Sequence, residues 1–132
     1  LESKVKGHLS NVSVVPIPGP SALVTALSAA GISVAEFTFL GFLPHKKGRE
    51  TLFKEIADSA RVMVFYESPH RIEKALESLE KFCGADRKII VARELTKIYE
   101  EFVRGTVVEA RAHFANNPDK LRGEFVVIVE PK

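Results

Sequence analysis

Apolar residues occur along this chain in two different patterns. Short continuous apolar runs, rich in β-branched and aromatic residues, predict strands. Between them, apolar residues recur every three or four positions, which predicts helices with one buried face. The predicted strands are Val12–Ile17, Phe37–Leu43, Val62–Tyr66, Lys88–Ala92, Tyr99–Val103 and Phe125–Val129. The predicted helices are Ser21–Ala30, a segment with the stripe Leu52, Phe53, Ile56 and Ala60, a segment with Ile72, Ala75, Leu76, Leu79 and Phe82, and Thr106–Ala115.

The predicted order of elements is β-α-β-α-β-α-β-β-α-β, which is typical of an α/β domain with one central sheet. A hairpin-like segment at 92–105 interrupts the alternation, so we expect a mixed sheet with at least one antiparallel pair. The five consecutive apolar residues Phe125–Val129 predict a strand buried on both faces. We therefore expect a three-layer α/β domain over residues 12–132, with a central mixed sheet of about five to six strands and helices on both faces. Residues 1–11 fit a linker or the end of a preceding helix.

Composition and charge narrow the class of protein only a little. The chain has 132 residues, of which 45% are hydrophobic and 27% charged, as in an ordinary globular domain. A net charge of +2 is too small to argue for nucleic-acid or membrane binding, and no apolar run reaches the length of a membrane span. The single cysteine, Cys83, excludes an internal disulfide and fits a packing role in a helix. The four histidines have no spacing typical of a metal site, so we expect no metal.

The strand at Val62–Tyr66 ends in a dense set of reactive side chains, which include Glu67, His70 and Arg71. Ser68 fits the N-cap of the next helix and Pro69 its first position. Open α/β sheets place their sites where a strand ends and turns into a helix. Arginine in the first turn of a helix opposes the macrodipole, which favours an anionic partner nearby. The alternative is a capped helix whose polar groups are only solvated.

Other stretches carry weaker signals of the same kind. Pro16–Ala22 turns at Gly19 into a helix start, whose N–H groups suit a carboxylate, a phosphate or a sugar hydroxyl. The ionisable run Ala92–Glu101 follows a buried strand, and the loop His45–Arg49 is basic. Each has a plain alternative: a turn without a ligand, a loop of surface ion pairs, or a solvated loop. The residues alone therefore predict an α/β domain with a polar site at one end of its sheet.

Five stretches occur together and in a fixed order: Val14–Ala22, Phe39–Pro44, Tyr66–Arg71, Ala92–Lys97 and Gly123–Phe125. In that order they resemble the C-terminal half of the ribosomal RNA small subunit methyltransferase I family. That family lies within the tetrapyrrole methylase (uroporphyrinogen methyltransferase-like) superfamily, and the resemblance covers residues 12–131. The sequences Tyr-Glu-Ser-Pro-His-Arg and Ala-Arg-Glu-Leu-Thr-Lys are specific to this branch, whereas Pro-Gly-Pro-Ser-Ala indicates the superfamily alone.

The resemblance implies a two-domain enzyme that uses S-adenosylmethionine to methylate the ribose 2′-hydroxyl of a cytidine in 16S rRNA. The cofactor would lie in the cleft between an N-terminal and a C-terminal domain. By motif, the resemblance implies cofactor contacts at the start of the first helix, at the strand end that faces the adenosine, at a small residue, and at the position before the last strand. These residues are Ser21 and Ala22, Tyr66 and Glu67, Gly105, and Glu124.

A ribose hydroxyl is a poor nucleophile at neutral pH, so a general base or a cation that stabilises the alkoxide should assist the reaction. We hypothesise that Glu67 or His70 is the base. Cationic side chains would stabilise the oxyanion or bind RNA phosphates. The candidates for RNA binding are Lys46, Lys47, Arg49, Arg71, Arg93 and Lys97.

The expected partners are 16S rRNA in the small ribosomal subunit, an N-terminal domain of the same protein, and a second copy in a homodimer, with no membrane contact and a cytoplasmic location. Two other functions stay open: methylation of a tetrapyrrole carbon, and a non-catalytic interaction or dimerisation domain. The ionic Arg-Glu-Leu-Thr-Lys stretch argues against the first, since a tetrapyrrole site should be larger and more apolar.

The Gly-rich loop and the Asp-containing turns of the family's N-terminal domain do not occur in these residues. We therefore expect that residues 1–132 alone bind S-adenosylmethionine weakly or not at all, because half of the cleft would be missing. Isothermal titration of the chain with S-adenosylmethionine measures this directly. A micromolar dissociation constant would contradict the expectation.

Overall fold

A computed structural model describes residues 11–132. Over these residues the helices are α1 (Ala22–Ser28), α2 (Arg49–Asp58), α3 (Ile72–Cys83) and α4 (Val107–Asn116). The strands are β1 (Phe37–Phe42), β2 (Val62–Glu67), β3 (Lys88–Arg93), β4 (Glu101–Thr106) and β5 (Phe125–Val129). A short 3₁₀ turn at Pro118–Lys120 precedes β5. No helix of this described part is long and apolar enough to cross a membrane.

The five strands form one mixed sheet in the order β1-β2-β5-β3-β4. β1 and β2 are parallel, whereas β5 is antiparallel to both of its neighbours and β3 is antiparallel to β4. The chain therefore lays its last strand into the middle of the sheet, between β2 and β3. The predicted mixed sheet and the predicted antiparallel pair are both confirmed.

The central strand β5 is buried along its whole length, as its five consecutive apolar residues predict. Val127 lies opposite Phe65 of β2 on one side and Val91 of β3 on the other. The same register places Phe125 between Glu67 and Arg93. Both edges of β5 are thus hydrogen-bonded, and both of its faces are covered.

The two faces of the sheet have separate cores, which confirms the prediction of helices on both faces. Helices α2, α3 and α4 cover one face, where Phe53, Leu76 and Phe114 pack on alternate strand residues. Helix α1 covers the other face with a smaller cluster around Leu27 and Ile128. Strand side chains alternate between the faces, so each buried strand needs apolar residues at every position.

Helix α3 shows most directly how the sequence sets the local structure. Ile72, Ala75, Leu76 and Leu79 recur at helical spacing, and all four side chains are fully buried. The helix ends at Gly84, whose φ of +94° suits a residue without a Cβ. Cys83 packs beside this core, and burial raises the pKa of its thiol despite the opposing charge of Arg87.

One predicted strand is wrong: Val12–Ile17 has no regular secondary structure. Its apolar side chains are largely solvent-exposed, and Ile17 is 88% exposed. The reason lies in Pro16, Pro18 and Pro20, which alternate along the chain. N–H groups of alternate residues point to the same side of a strand, so these prolines remove three successive donors from one edge. Predictions for residues 1–10 lie outside the described part of the chain.

The predicted start of α3 is also wrong. Helix α3 begins at Ile72, with Arg71 at the N-cap position, rather than at Pro69 after a Ser68 cap. Residues 68–71 form a tight turn instead, in which the carbonyl oxygen of Ser68 accepts hydrogen bonds from the N–H groups of Arg71 and Ile72 at 3.1 and 3.0 Å. The backbone carbonyl of Ser68 therefore accepts the hydrogen bonds at the start of α3, whereas the sequence pattern predicted that its side chain would accept them.

The central position of β5 predicts a large difference between two otherwise identical substitutions. Ile128→Ala should lower the free energy of unfolding by about 2–5 kcal/mol, because it leaves a cavity in a fully buried strand. The matched control Ile98→Ala, at a side chain that is 93% exposed, should change it by less than about 0.5 kcal/mol. Denaturant unfolding of both variants measures the difference. Equal effects would show that β5 does not carry the core.

Candidate functional site

Four strand ends meet at one edge of the sheet, at the end of β2 and β3 and the start of β4 and β5. Glu67, Phe125, Arg93 and Glu101 lie side by side across these strands in hydrogen-bonded register. Loops that leave this edge carry the polar stretches picked out in the sequence. The structure thus brings Tyr66–Arg71, Ala92–Lys97 and Gly123–Phe125 to one end of the sheet, as the sequence predicts for a polar site.

A cleft of about 280 Å³ opens at this edge, on the side of helix α1. Its lining is mainly apolar, with charged side chains at the rim. The lining residues are Ala22, Phe42, Tyr66, Glu94, Leu95, Lys97, Glu124, Phe125 and Val126. Ala22, Tyr66 and Glu124, which the resemblance implies as cofactor contacts, line this cleft, and so does Lys97. Ser21 precedes Ala22 at the N-cap of α1 and is exposed.

Tyr66 joins the sheet to helix α1. Its hydroxyl oxygen accepts a hydrogen bond of 3.0 Å from the backbone N–H of Leu23 in the first turn of α1. The side chain of Ser21 makes no capping bond, so the tyrosine satisfies a donor that the N-cap leaves open. The rings of Phe39 and Phe42 pack against the tyrosine ring in T-shaped geometry, at centroid distances of 4.9 and 5.6 Å. This hydrogen bond ties the first turn of α1 to the end of β2 beside the cleft.

The loop after β3 has an unusual backbone. Glu94 and Thr96 have positive φ angles of 51° and 64°, which side chains other than glycine seldom adopt. Hydrogen bonds within the loop hold this shape: the Lys97 N–H donates to the Glu94 carbonyl at 3.0 Å, and the Thr96 N–H donates to the Glu100 carboxylate at 2.9 Å. The Glu94 side chain lies over Gly123, where a Cβ atom would overlap its carboxylate. Glycine at 123 thus lets two loops close against each other.

Glu67 and His70, the two residues hypothesised as general base, do not line the cleft. Glu67 is fully buried; its Oε1 accepts from the N–H of Ser68 at 2.9 Å and pairs with Arg71 Nε at 3.4 Å. Its Oε2 and the Nη1 of Arg71 are buried without a hydrogen-bond partner in the described part of the chain. His70 is exposed and lines a groove between α3 and α4.

Gly105, implied as a cofactor contact, lies at the other end of the sheet. It pairs with Ile89 near the start of β3, whereas the cleft lies at the end of that strand. The carboxylate of Glu109 covers it, because Glu109 forms a capping box with Thr106 at the start of α4. The φ of +144° at Gly105 therefore serves the turn from β4 into α4 in this structure.

The basic residues of the predicted RNA surface fall into two groups. Lys46 and Lys47 are exposed on the loop that follows β1. Arg49 is partly tied down, since it donates to the carbonyl of Pro44 at 3.1 Å and lies over the ring of Phe53. Arg71 and Arg93 are held by Glu67 and Glu101, and Lys97 pairs with Glu94 at 3.6 Å while staying mostly exposed.

Glu101 is the centre of a charge cluster beside the cleft. Arg93 Nε donates to it at 2.9 Å and Lys120 Nζ at 3.0 Å, and His113 Nε2 lies 3.3 Å from the same carboxylate. Burial raises the pKa of Glu101, but the hydrogen bonds from these three side chains outweigh burial and bring the pKa to about 2. The carboxylate is therefore ionised at neutral pH. No group of histidine, cysteine and acidic side chains in residues 11–132 is arranged to hold a metal ion.

Comparison with known proteins matches residues 4–111 to the family model described as Tetrapyrrole (Corrin/Porphyrin) Methylases. The chain belongs to the tetrapyrrole methylase family. This confirms the superfamily that the five sequence stretches indicate.

Several curated relatives of this tetrapyrrole methylase chain carry the name Ribosomal RNA small subunit methyltransferase I. The protein of Pasteurella multocida is 44% identical over 124 residues, which are 93% of this chain and 44% of the relative. The protein of Halalkalibacterium halodurans is 45% identical over 130 residues, or 98% of this chain and 44% of the relative. The chain thus spans less than half the length of these relatives.

Two solved structures share the fold of this tetrapyrrole methylase chain. The methyltransferase CobJ superposes with a TM-score of 0.68 at 22% identity, over 98% of this chain and 56% of that one. The cobalamin biosynthetic enzyme cobalt precorrin-4 methyltransferase, CbiF, superposes with a TM-score of 0.69 at 16% identity, over the same shares. At these identities the two structures support the fold and nothing finer.

Sequence reasoning missed part of the site of this tetrapyrrole methylase chain. Phe42 and Leu95 line the cleft, and both lie inside stretches that the sequence had singled out. Two members of the Glu101 cluster, Arg93 and Glu101, lie in the ionisable run Ala92–Glu101 that the sequence had singled out. Its other members, His113 of α4 and Lys120 of the 3₁₀ turn, had no sequence signal, because they come from distant parts of the chain.

The contact between Tyr66 and α1 makes a specific prediction for stability. Tyr66→Phe should lower the free energy of unfolding by about 1 kcal/mol, because the N–H of Leu23 loses its acceptor. The matched control Tyr99→Phe removes the same oxygen from a side chain that is 73% exposed, and should change the free energy by less than about 0.5 kcal/mol. Denaturant unfolding at neutral pH measures both. A neutral Tyr66→Phe would mean that water caps α1 equally well.

Proposed function

We propose that this chain is the C-terminal half of an S-adenosylmethionine-dependent methyltransferase that acts on the ribose 2′-hydroxyl of a cytidine in 16S rRNA. One observation carries the proposal: relatives named Ribosomal RNA small subunit methyltransferase I are 44–45% identical over nearly the whole chain. The structure adds support, since the branch-specific stretches converge on one cleft. A cytoplasmic location follows from a ribosomal substrate and is part of the same proposal.

The lining of the cleft fits the proposed cofactor. Aromatic and aliphatic surfaces of Tyr66, Leu95 and Phe125 suit a purine ring, and the carboxylates of Glu94 and Glu124 suit hydroxyl and amino donors. When bound, S-adenosylmethionine supplies an electrophilic methyl group on a sulfonium. A cavity of about 280 Å³ is small for a ligand of this size, which supports a second wall from an N-terminal half.

The assignment of the base to Glu67 or His70 stays a prediction, and the geometry suggests a different role for Glu67. The buried carboxylate holds the turn after β2 through Ser68 and Arg71, directly after the cleft residue Tyr66. We infer that Glu67 is a positioning residue: it fixes the strand end from which the Tyr66 ring reaches the cleft. His70 faces the groove between α3 and α4, away from the lining of the cleft.

The function is tested by methyl transfer from labelled S-adenosylmethionine, with a protein in which an N-terminal half precedes this chain. Small ribosomal subunits that lack the methyl group should accept label at a cytidine ribose, whereas a free tetrapyrrole should not. Label in the tetrapyrrole, or none in either substrate, would overturn the proposal. The second of these results is the one that a non-catalytic interaction domain would give.

In the same assay, Glu67→Gln should lower kcat by about 10- to 100-fold, since small displacements of positioned groups cost this much. The pH–rate profile should keep its shape, because a positioning residue does not exchange the proton. The matched control Glu73→Gln, at an exposed carboxylate in the first turn of α3, should keep kcat within twofold of the parent protein. Loss of the limb of the profile that reports the base, in Glu67→Gln or in a parallel His70→Ala variant, would make that residue the base.

Lys46 and Lys47 form part of the proposed RNA surface, together with Lys97, and all three are exposed. Binding to small subunits should therefore weaken with salt, and Lys46→Gln/Lys47→Gln should reduce the slope of log K against log salt by about 0.7 for each lost phosphate contact. The matched control Lys88→Gln/Lys132→Gln removes two charges at the other end of the sheet and should leave the slope unchanged. Filter binding over a range of KCl concentrations measures the slopes. Identical slopes for the two double variants would exclude this loop from the RNA surface.

The predicted homodimer also stays a prediction. Apolar side chains are exposed on the α1 side of the sheet and in the segment before α1, including Ile17, Val24, Phe37 and Phe39. Exposed apolar side chains that lie close together commonly mark a contact between proteins. These side chains therefore support the prediction of an assembly with a second copy.

A further inference from the structure

A second cavity lies at the same edge of the sheet, next to the cleft. Its volume is about 620 Å³, and its lining is formed by the loop after β3, the 3₁₀ turn and the segment before β5. The lining residues are Arg93, Glu94, Tyr99, Asp119, Lys120 and Arg122. Glu94 lines both the cleft and this cavity, so the two spaces adjoin. We refer to it as the Arg93 cavity.

Arg93 is a buried arginine that one carboxylate only partly satisfies. It is 7% exposed, and its Nε donates to Glu101 at 2.9 Å. Its two Nη groups, which are the outer donors of the guanidinium fork, have no hydrogen-bond acceptor within residues 11–132. Both Nη groups are accessible to solvent, and Arg93 lines the cavity. They are therefore free to donate to an anion that enters it.

The charges around the Arg93 cavity favour an anion. Glu101 is shared between Arg93 and Lys120, so one negative charge faces two positive ones. Arg122 adds a third cation to the lining, and Asp119 adds a carboxylate. Glu94, the other acidic residue of the lining, is paired with Lys97. Bidentate contact through the outer nitrogens of a guanidinium is the geometry that phosphate oxygens match.

An aromatic ring is displayed beside these cations. Tyr99 is 73% exposed and its neighbour Ile98 is 93% exposed, at the tip of the loop between β3 and β4. The loop is held from within, because the Glu100 N–H donates to the Lys97 carbonyl at 3.1 Å in addition to the bonds around Thr96. A fixed, exposed aromatic ring next to phosphate-binding cations is the combination with which proteins hold single-stranded nucleic acid.

We propose that the Arg93 cavity binds a phosphodiester of single-stranded RNA, with Arg93, Lys120 and Arg122 contacting the phosphate and Tyr99 stacking on an adjacent base. This inference rests on the proposed function, because it places the substrate strand next to the cofactor cleft. It assigns RNA contacts to Lys120, Arg122 and Tyr99, and it gives Arg93 its role through the Nη groups. The cavity thus holds the strand, while the cleft holds the methyl donor.

The test uses the protein in which an N-terminal half precedes this chain. The probe is a fluorescein-labelled single-stranded RNA that is twelve nucleotides long and contains cytidines, and fluorescence anisotropy measures its binding. Lys120→Gln/Arg122→Gln should weaken binding by at least tenfold and reduce the salt slope by about 0.7, since the phosphate contact is lost. The matched control Arg61→Gln/Lys132→Gln also removes one arginine and one lysine, each paired with an exposed carboxylate at the other end of the sheet, and should bind like the parent. Thermal unfolding confirms that both double variants are folded.

Tyr99 separates stacking from charge. Tyr99→Ala should weaken binding by at least about fivefold with an unchanged salt slope, and Tyr99→Phe should restore it, because the ring and not the hydroxyl does the stacking. Parental affinity in both Lys120→Gln/Arg122→Gln and Tyr99→Ala would overturn the inference.

Methyl transfer, measured in parallel, separates this inference from the proposed function. If small subunits are methylated normally by variants that also bind RNA normally, the inference fails and the proposed function stands. If the RNA binds through these residues but no methyl group is transferred, the cavity is an RNA site and the proposed function fails. If the parent protein binds no RNA and methylates none, both fail.

Discussion

The position of β5 between β2 and β3 is the constraint on which the rest of the structure depends. Its two ladders fix the register of both neighbours at once, and through β3 the register of β4. A shift of one residue would turn every buried side chain to the opposite face. Because both faces are covered by helices, such a shift would disrupt two cores together. The alignment of four strand ends at the site is a direct result of this rigidity.

At these four strand ends, the two faces of the sheet carry different side chains, because successive residues of a strand point to opposite faces. On the α1 face, Tyr66 and Val126 offer a flat and mainly apolar surface. On the three-helix face, Glu67 pairs with Arg71 and Glu101 pairs with Arg93, and both ion pairs are largely removed from solvent. Each carboxylate is held by cationic or backbone donors, so the charges are fixed in place before any ligand arrives. Preorganised charge of this kind is what recognition of a charged strand requires.

Local patterns predicted the elements of this fold well, and contacts between distant residues explain where they failed. The apolar run of Phe125–Val129 identified a central strand, and the stripe of α3 identified its buried face. The run Val12–Ile17 has the same apolar, β-branched composition as Phe125–Val129, but a strand also needs backbone N–H donors, which the alternating prolines remove. The cap of α3 failed for a related reason: the turn at 68–71 satisfies its groups through backbone oxygens, which side-chain patterns do not reveal.

The same limit applies to the site. Motif residues such as Ala22, Tyr66 and Glu124 were found because they sit in recognisable stretches, and they do line one cleft. Glu67 and His70 belong to the same stretch as Tyr66, yet the pleat buries Glu67 and the following turn places His70 at a different groove. The sequence identified Arg93 and Glu101 only as an ionisable run, and it did not indicate that Lys120, 27 positions after Arg93, completes their cluster in the folded chain.

The alternating prolines at 16, 18 and 20 also bear on how this protein behaves at high concentration. An exposed, apolar, β-branched segment would ordinarily invite other chains to add strands and grow fibrils. Here the three prolines leave one side of the backbone without N–H donors. If another chain paired with the opposite side, no further strand could hydrogen-bond to the proline side. The segment could therefore form the last strand of a sheet but could not be extended by further strands. It can therefore keep its apolar side chains available for a specific contact without seeding aggregation.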